Sequence, residues 1–477
     1  MPMDLILLVQ TAIAPLVSRR AARRRAAAAS RQSAAARALG AIRAGLAVLV
    51  LPLLAACATP SVPLAAVAAN MPTPVLTPTS APKATAVPTA VPTPTAVPAP
   101  RYDLVLVGGT LIDATGAPPL ESAVVAIQGR RIAYAGAAGT LRYSPDTPVR
   151  DVRGATIMPG FIDAHVHITG LADDDLRRWT RAGVTTIRDL AGPLTQLVAI
   201  RERIRAAGDP ALPRLLVAGP IVTVEGGYPF AVGEQALRVE GLAVRSADDA
   251  RAVVSRLADG GADLIKLAVS GRTDVHWMEL SDDEIAAIAA TAHARGLRVS
   301  AHVDRVVALR RAVLNGIDNA AHSPRDRMPD EPIALMVERG VSMSPTISVY
   351  EALARHRHAD AAWRKWMQPL MYDNLRRFVA AGGVLALGDD YGGVPGMPIG
   401  MPLAELLHWQ AAGLSPQQII EASTRGSALA IGLEAEIGTV EVGKLADLLV
   451  VRGNPLADLR ALARPLLVVH DGRIVEP

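Results

Sequence analysis

Eight short β-rich runs alternate with helical segments through the middle of the chain, a pattern that few folds accommodate. The runs fall at residues 157–165, 184–189, 214–218, 264–269, 298–302, 317–322, 341–346 and 384–389. Most gaps between them carry a helical pattern, as in 281–295, SDDEIAAIAATAHAR. There Ser281 and Glu284 have the spacing of a capping box. Eight such alternations predict an α/β architecture, a (β/α)8 TIM barrel, which typically takes about 250 residues. An open doubly wound sheet is the competing arrangement. It is disfavoured because no glycine-rich phosphate loop follows the first run.

The texture on either side is different. From Tyr102 the chain reads DLVLVGG, TLIDATG, AVVAIQG and RIAYAG, short β-rich runs cut by glycine turns. GTVEVG, ADLLVV and PLLVVHDGRIV repeat that texture at the far end. The expectation is one small β-sandwich domain built from both ends. Residues 101–157 and 435–477 would supply its two parts, and the barrel would occupy 158–434.

Two segments precede this body. Residues 41–56, AIRAGLAVLVLPLLAA, form an apolar run with Arg37 and Arg43 near its start, ending in Leu54-Ala55-Ala56-Cys57. A basic region, a short apolar stretch and small residues at a cleavage point describe a secretory signal over 1–56. The ending resembles a bacterial lipobox, which implies cleavage before Cys57, lipidation of its thiol and anchoring on the extracytoplasmic side. Cys57 is the only cysteine, so no disulfide can form within the chain. A membrane-spanning anchor with an incidental cysteine is the alternative, and the run is short for a bilayer span. Residues 57–100 then form a stalk rich in Pro, Thr and Ala, where proline density favours extended polyproline II.

Charge narrows the partners. Residues 1–56 hold eight Arg and one acid, whereas the remainder carries 41 basic and 44 acidic residues. A near-neutral body with 3% aromatic residues lacks the basic face and stacking surface of a nucleic-acid binder. The expected partners are a small-molecule substrate and, through the lipid, a membrane. Homo-oligomer formation is left open by the sequence.

The chemistry-bearing residues sit at the ends of the β-rich runs. His165 and His167 lie two apart in PGFIDAHVH, a spacing that puts both imidazoles on one face of a strand. Lys266 interrupts an apolar run, DLIKLAV, and a buried lysine is costly unless paired or chemically altered. His302 closes SAHVD, His322 closes NAAHS, and Asp389 and Asp390 close ALGDD. In a (β/α)8 barrel such ends converge on one mouth. His293, His356, His358 and His408 fall on helices or loops and are expected to be structural or solvated. Arg188 and Asp189 are expected to support the mouth.

Taken together, PGFIDAHVH, GVTTIRDL, GADLIKLAVSG, AHARGLRVSAH, GIDNAAHS, ALGDD and GTVEVGKLADLLVV resemble the amidohydrolase superfamily. They look most like its imidazolonepropionase-like and Xaa-Pro dipeptidase-like branch. The resemblance covers roughly residues 101–477. It implies that His165 and His167 bind a buried metal and that His302 and His322 bind a second. It further implies that Lys266, carboxylated on its amine, bridges the two, and that Asp390 is both ligand and proton shuttle. The implied cofactors are two divalent ions. Imidazole and carboxylate ligands suit Zn2+, with manganese, cobalt or iron less easily excluded. A hydroxide bridging the metals would attack an amide carbonyl of a dipeptide or N-acyl amino acid. The alternatives are a lactonase or phosphotriesterase-like hydrolase, or a non-catalytic surface-binding lipoprotein.

Asp389 departs from the family's small polar residue. It either raises the pKa of Asp390 by like-charge repulsion or points elsewhere. Tyr228, Arg272 and Tyr350 are candidates for substrate contact, against simple loop packing for the tyrosines and a surface charge for the arginine.

Overall fold

The computed structural model describes residues 99–230, 240–269 and 278–477. The leader, Cys57, the stalk before residue 99 and Arg272 lie outside these residues. No helix among the described residues is long and apolar enough to cross a membrane.

The first part of the body supplies β1 (Leu104–Leu111), β2 (Leu120–Gln128), β3 (Arg131–Ala137), β4 (Val149–Asp151) and β5 (Ala155–Pro159). The run at 157–165, expected as a single strand, is divided after Pro159. β5 stays with the strands before it, while β6 (Phe161–Val166) opens a parallel sheet. Gly160 is required at the junction, because a Cβ there would lie 2.3 Å from the Thr185 hydroxyl.

β6, β7 (Val184–Asp189) and β8 (Arg214–Val217) form one parallel sheet. The other parallel sheet contains β9 (Ile221–Val224), β10 (Gly241–Val244), β11 (Leu264–Ala268), β12 (Arg298–His302), β13 (Asn319–Ala321) and β14 (Ser342–Ser344). The strands at 184–189 and 298–302 have the expected bounds. β9 and β10 were not legible as separate strands. The run at 384–389 makes only an isolated bridge, Leu385 to Met343. Its backbone nevertheless lies between β14 and β6: Met343 N–H donates to the Val384 carbonyl at 2.9 Å, and Ala164 N–H to that of Leu387 at 2.7 Å. Asp263 N–H likewise donates to the Val217 carbonyl at 2.8 Å, joining β8 to the approach to β11. Helices follow β6, β7, β10, β11, β12, β13 and β14, giving a TIM-barrel-like α/β fold. The helix expected at 281–295 spans Asp282–Ala294, and the Ser281–Glu284 capping box forms with reciprocal hydrogen bonds.

The chain then returns to the first sheet through β15 (Leu448–Arg452), β16 (Pro465–His470) and β17 (Arg473–Val475). β15 pairs antiparallel with β5, so both ends of the body share one eight-stranded sheet in the order β17-β16-β15-β5-β1-β2-β3, with β4 on β1. GTVEVG at 438–443 is a turn rather than a strand, with glycines at positive φ at both its ends. β15 explains why its sequence is apolar without alternation. Leu448 and Val450 face a small core with Leu106, Ile127 and Ile157, while Leu449 and Val451 join the large core that contains Phe161, Trp179, Phe378 and Trp409.

Candidate metal centre

β6 ends at Val166, with His165 within it and His167 one residue beyond, and both imidazoles reach the same carboxylate. The two rings stand 5.4 Å apart between centroids and nearly perpendicular. The segment after Leu385 passes close beside them because residue 388 is glycine: a Cβ there would lie 2.7 Å from that of His165. The following chain is pinned by Asp390 N–H, which donates to the His165 carbonyl at 2.9 Å. This brings Asp390 Oδ1 to 3.2 Å from His165 Nε2 and 3.0 Å from His167 Nε2. His322, just beyond β13, completes a group with His165 and Asp390 whose potential ligand atoms all lie within 4.8 Å of one another. The His302 ring, at the end of β12, is 4.5 Å from that of His322.

Lys266 is buried on β11, at 1% exposure, and its charge bears on His165, His302 and His322. Burial pulls its ammonium down to about 7, with Asp390 opposing the shift. Burial likewise holds His165, His302 and His322 well below the ordinary histidine value, so their rings are neutral, the form that ligates metals.

These residues fit a divalent ion. A carboxylate oxygen flanked by two imidazole nitrogens at this range needs either protons or a cation between them. Ligands about 2.1 Å from one tetrahedral ion lie roughly 3.4 Å apart, close to the spacing seen. The Nδ1 atoms of His165 and His167 are buried without a hydrogen-bond partner among the described residues. His322 is better held: its Nδ1 lies 2.7 Å from the Thr346 hydroxyl. With Nδ1 donating there, Nε2 keeps its lone pair.

Other residues support this cluster, and among them Asp163 and Glu405 were not singled out by sequence. Asp389 does not join the histidine cluster. Its carboxylate lies close enough to that of Asp163 for the two charges to interact, and accepts from Tyr391 N–H at 2.9 Å. Burial raises both acids, so this pair holds a proton more readily than exposed carboxylates do. Glu405 is wholly buried and accepts from Ile347 N–H, Ser348 N–H and Trp409 Nε1–H, fixing the start of the helix Ile347–His356. Arg188 and Asp189 brace the mouth as expected. Arg188 donates to the Ala164 carbonyl and to Asn319, and Asp189 accepts from Ile168 and Ala191 N–H. Burial lowers the Arg188 guanidinium to about 9 and raises the Asp189 carboxyl to about 6.

The centre opens into a cavity of about 140 Å3 lined by His167, His302, His322 and Asp390 on its floor. Tyr228 and Tyr350 both reach it. Tyr228 stacks on His302 at 4.1 Å between centroids, and the Tyr350 ring is 6.0 Å from that of His322. Desolvation raises both phenols, so they remain hydrogen-bond donors across the working pH range. The other described histidines are elsewhere: His293 pairs with Asp318, His408 with Tyr372, His470 with the Pro210 carbonyl, and His356 and His358 are exposed.

The amidohydrolase family model matches residues 156–475, a span that includes every proposed ligand. The chain belongs to the amidohydrolase family. An imidazolonepropionase of Symbiobacterium thermophilum is 25% identical over 73% of this chain and 91% of its own length. An ochratoxinase of Aspergillus niger is 25% identical over 77% of this chain and 84% of its own length. Among solved structures, a Xaa-Pro dipeptidase with bound methionine superposes with a TM-score of 0.69. It is 24% identical and covers 78% of this chain and 100% of its own, a likeness of fold. Amidohydrolase membership and these relatives support metal-dependent hydrolysis of a C–N amide bond.

Proposed function

We propose that this amidohydrolase cleaves a dipeptide or an N-acyl amino acid at a centre of two divalent ions, most readily zinc. The observation that carries the reading is the convergence of His165, His167, His322 and Asp390 beside a buried Lys266. His165, His167 and Asp390 would hold one ion, and His302 and His322 the other. Lys266 would be shared by both once it is carboxylated. A lysine pulled to about 7 by burial is substantially uncharged at neutral pH, the state that adds carbon dioxide. Bound there, the ions supply an activated water and polarise the scissile carbonyl. Asp390, open to the cavity, accepts the proton of the attacking water and delivers it to the leaving nitrogen as the C–N bond breaks. Tyr228 and Tyr350 orient the substrate by donating hydrogen bonds from the cavity wall.

The two parallel sheets and the 384–391 segment are read as one closed (β/α)8 barrel. The sheet built from both ends is read as its accompanying β-sandwich, with domain limits at 101–157, 158–434 and 435–477. The sole cysteine at the end of the leader supports export and lipid anchoring. Loss of membrane association in a Cys57→Ser chain would test that.

The deciding experiment is metal analysis of protein prepared with zinc and bicarbonate, beside Lys266→Ala, on a panel of dipeptides, N-acyl amino acids and esters. Close to two ions per chain, falling with hydrolysis in the variant, supports the binuclear reading. One ion, unaffected by the substitution, overturns the bridging role.

A further inference from the structure

The cavity above the metal centre does not end at the tyrosines. Tyr350, Leu353, Arg325 and Arg357 line both it and an adjoining groove of about 260 Å3. The rest of that groove is mostly apolar, with Ala354, Trp363, Trp366 and Met367 in its walls. It is built by the end of the helix Ile347–His356 and by the π-helical turn Trp363–Met367. Trp366 stands 67% exposed at its edge, a large indole left in water with Lys365 over its face.

The two arginines differ. Arg325 pairs with the buried Asp304 and is already neutralised. Arg357 is exposed, and its guanidinium makes no ion pair or hydrogen bond among the described residues. An unneutralised cation and an apolar wall therefore flank one passage that leads to the metal ligands. An amino acid with a large apolar side chain and a free α-carboxylate complements both features.

Resting on the hydrolase reading above, we propose that this groove is the amino-acid subsite of the enzyme. It selects amides whose amino-acid half carries a bulky apolar side chain and an unblocked carboxylate. The side chain lies along Leu353 and Trp366, and the carboxylate meets Arg357.

The test compares N-acetyl-L-leucine, N-acetyl-L-tryptophan, N-acetylglycine and N-acetyl-L-tryptophanamide with the metal-loaded protein, by turnover and by calorimetric binding. The subsite predicts tighter binding and lower KM for the bulky acids than for the glycine derivative or the carboxamide. Arg357→Met should reduce the acid-over-amide preference roughly 10- to 100-fold, the scale of a charged hydrogen bond. Arg357→Lys should restore part of it. Trp366→Ala should erode the bulky-over-glycine preference while leaving the acid-over-amide preference in place. Equal affinity for acid and carboxamide, or an Arg357→Met effect equal on both, overturns the proposal. Should no compound be hydrolysed by protein carrying its full metal complement, the hydrolytic reading of these substrates fails. The calorimetric preferences still decide the subsite.

Discussion

Lys266→Met should stabilise the metal-free protein and destroy the metal-loaded enzyme. Lys266 lies wholly inside the fold, and its ammonium falls from an ordinary 10.5 to about 7 there. In the unfolded chain it regains the ordinary value. That gap corresponds to about 5 kcal/mol of preference for the neutral amine in the folded state. A base lowered in this way costs the folded state its full penalty below about pH 7. The penalty shrinks as pH rises and disappears near 10.5, the unfolded value. Methionine has a similar length and no charge to desolvate. At pH 7 the chelator-treated, bicarbonate-free variant should therefore exceed the wild type by about 4 kcal/mol, a shift of about 1 M in a urea midpoint. The advantage should fade steadily toward pH 10. With zinc and bicarbonate present the order should reverse, because the variant has no amine to carboxylate. A wild type as stable as the variant at pH 7 without metal, or a difference unchanged between pH 7 and 10, would refute the claim that burial of this amine is costly.

Three other substitutions probe separate parts of the site. Thr346→Val removes the hydroxyl beside His322 Nδ1 and should weaken zinc affinity by roughly 10- to 100-fold, measured by competition with a chelator. Asp390→Asn removes the carboxylate that the proposed mechanism uses as proton acceptor and ligand. It should lower turnover by about 10²- to 10⁴-fold with unchanged far-ultraviolet circular dichroism. Ser281→Ala breaks the capping box far from the chemistry. It should cost about 1 kcal/mol in chemical unfolding and leave KM as it was.

That His165, His167, His302, His322 and Asp390 gather at one place was legible because a TIM-barrel-like fold converts position in the sequence into position in space. A His, Lys or Asp at the end of a β-rich run is carried to one mouth wherever the runs lie in the chain. Lys266 was conspicuous because an apolar strand has no reason to contain an amine. The last run was harder to place. Residues 384–389 bond to Met343 and Ala164 without regular pairing, and Gly388 is there for close approach to His165. Residues that act through another group were less visible. Thr346 and Glu405 are distant in sequence from what they hold, and nothing local marks them. Asp389 is the instructive case. Two adjacent acids left two readings open, repulsion of Asp390 or an Asp389 that points elsewhere, and the fold favours the second. It turns Asp389 to Asp163, a partner 226 positions away. The groove was invisible for a similar reason, since apolar residues at 353–367 look like ordinary helix core until the walls are seen to be open.

The backbone carries its own argument for where function lies. Seven non-glycine residues among those described have positive φ, and three of them, His322 at 127°, Thr346 at 50° and Asp390 at 59°, belong to this site. Such conformations cost of order 1–3 kcal/mol each and persist only where the surroundings enforce them. Here the enforcement is visible. His322 N–H donates to the Ser344 carbonyl and Asp390 N–H to that of His165. Glu405 holds the helix that begins after Thr346. A fold needing only a packed barrel would gain by relaxing all three residues into ordinary extended or helical backbone. Relaxation would swing an imidazole, its hydroxyl partner and a carboxylate out of one small volume. The strain is therefore consistent with the proposed metal centre, as the cost of holding its candidate ligand atoms together beforehand, so that binding need not also order the chain.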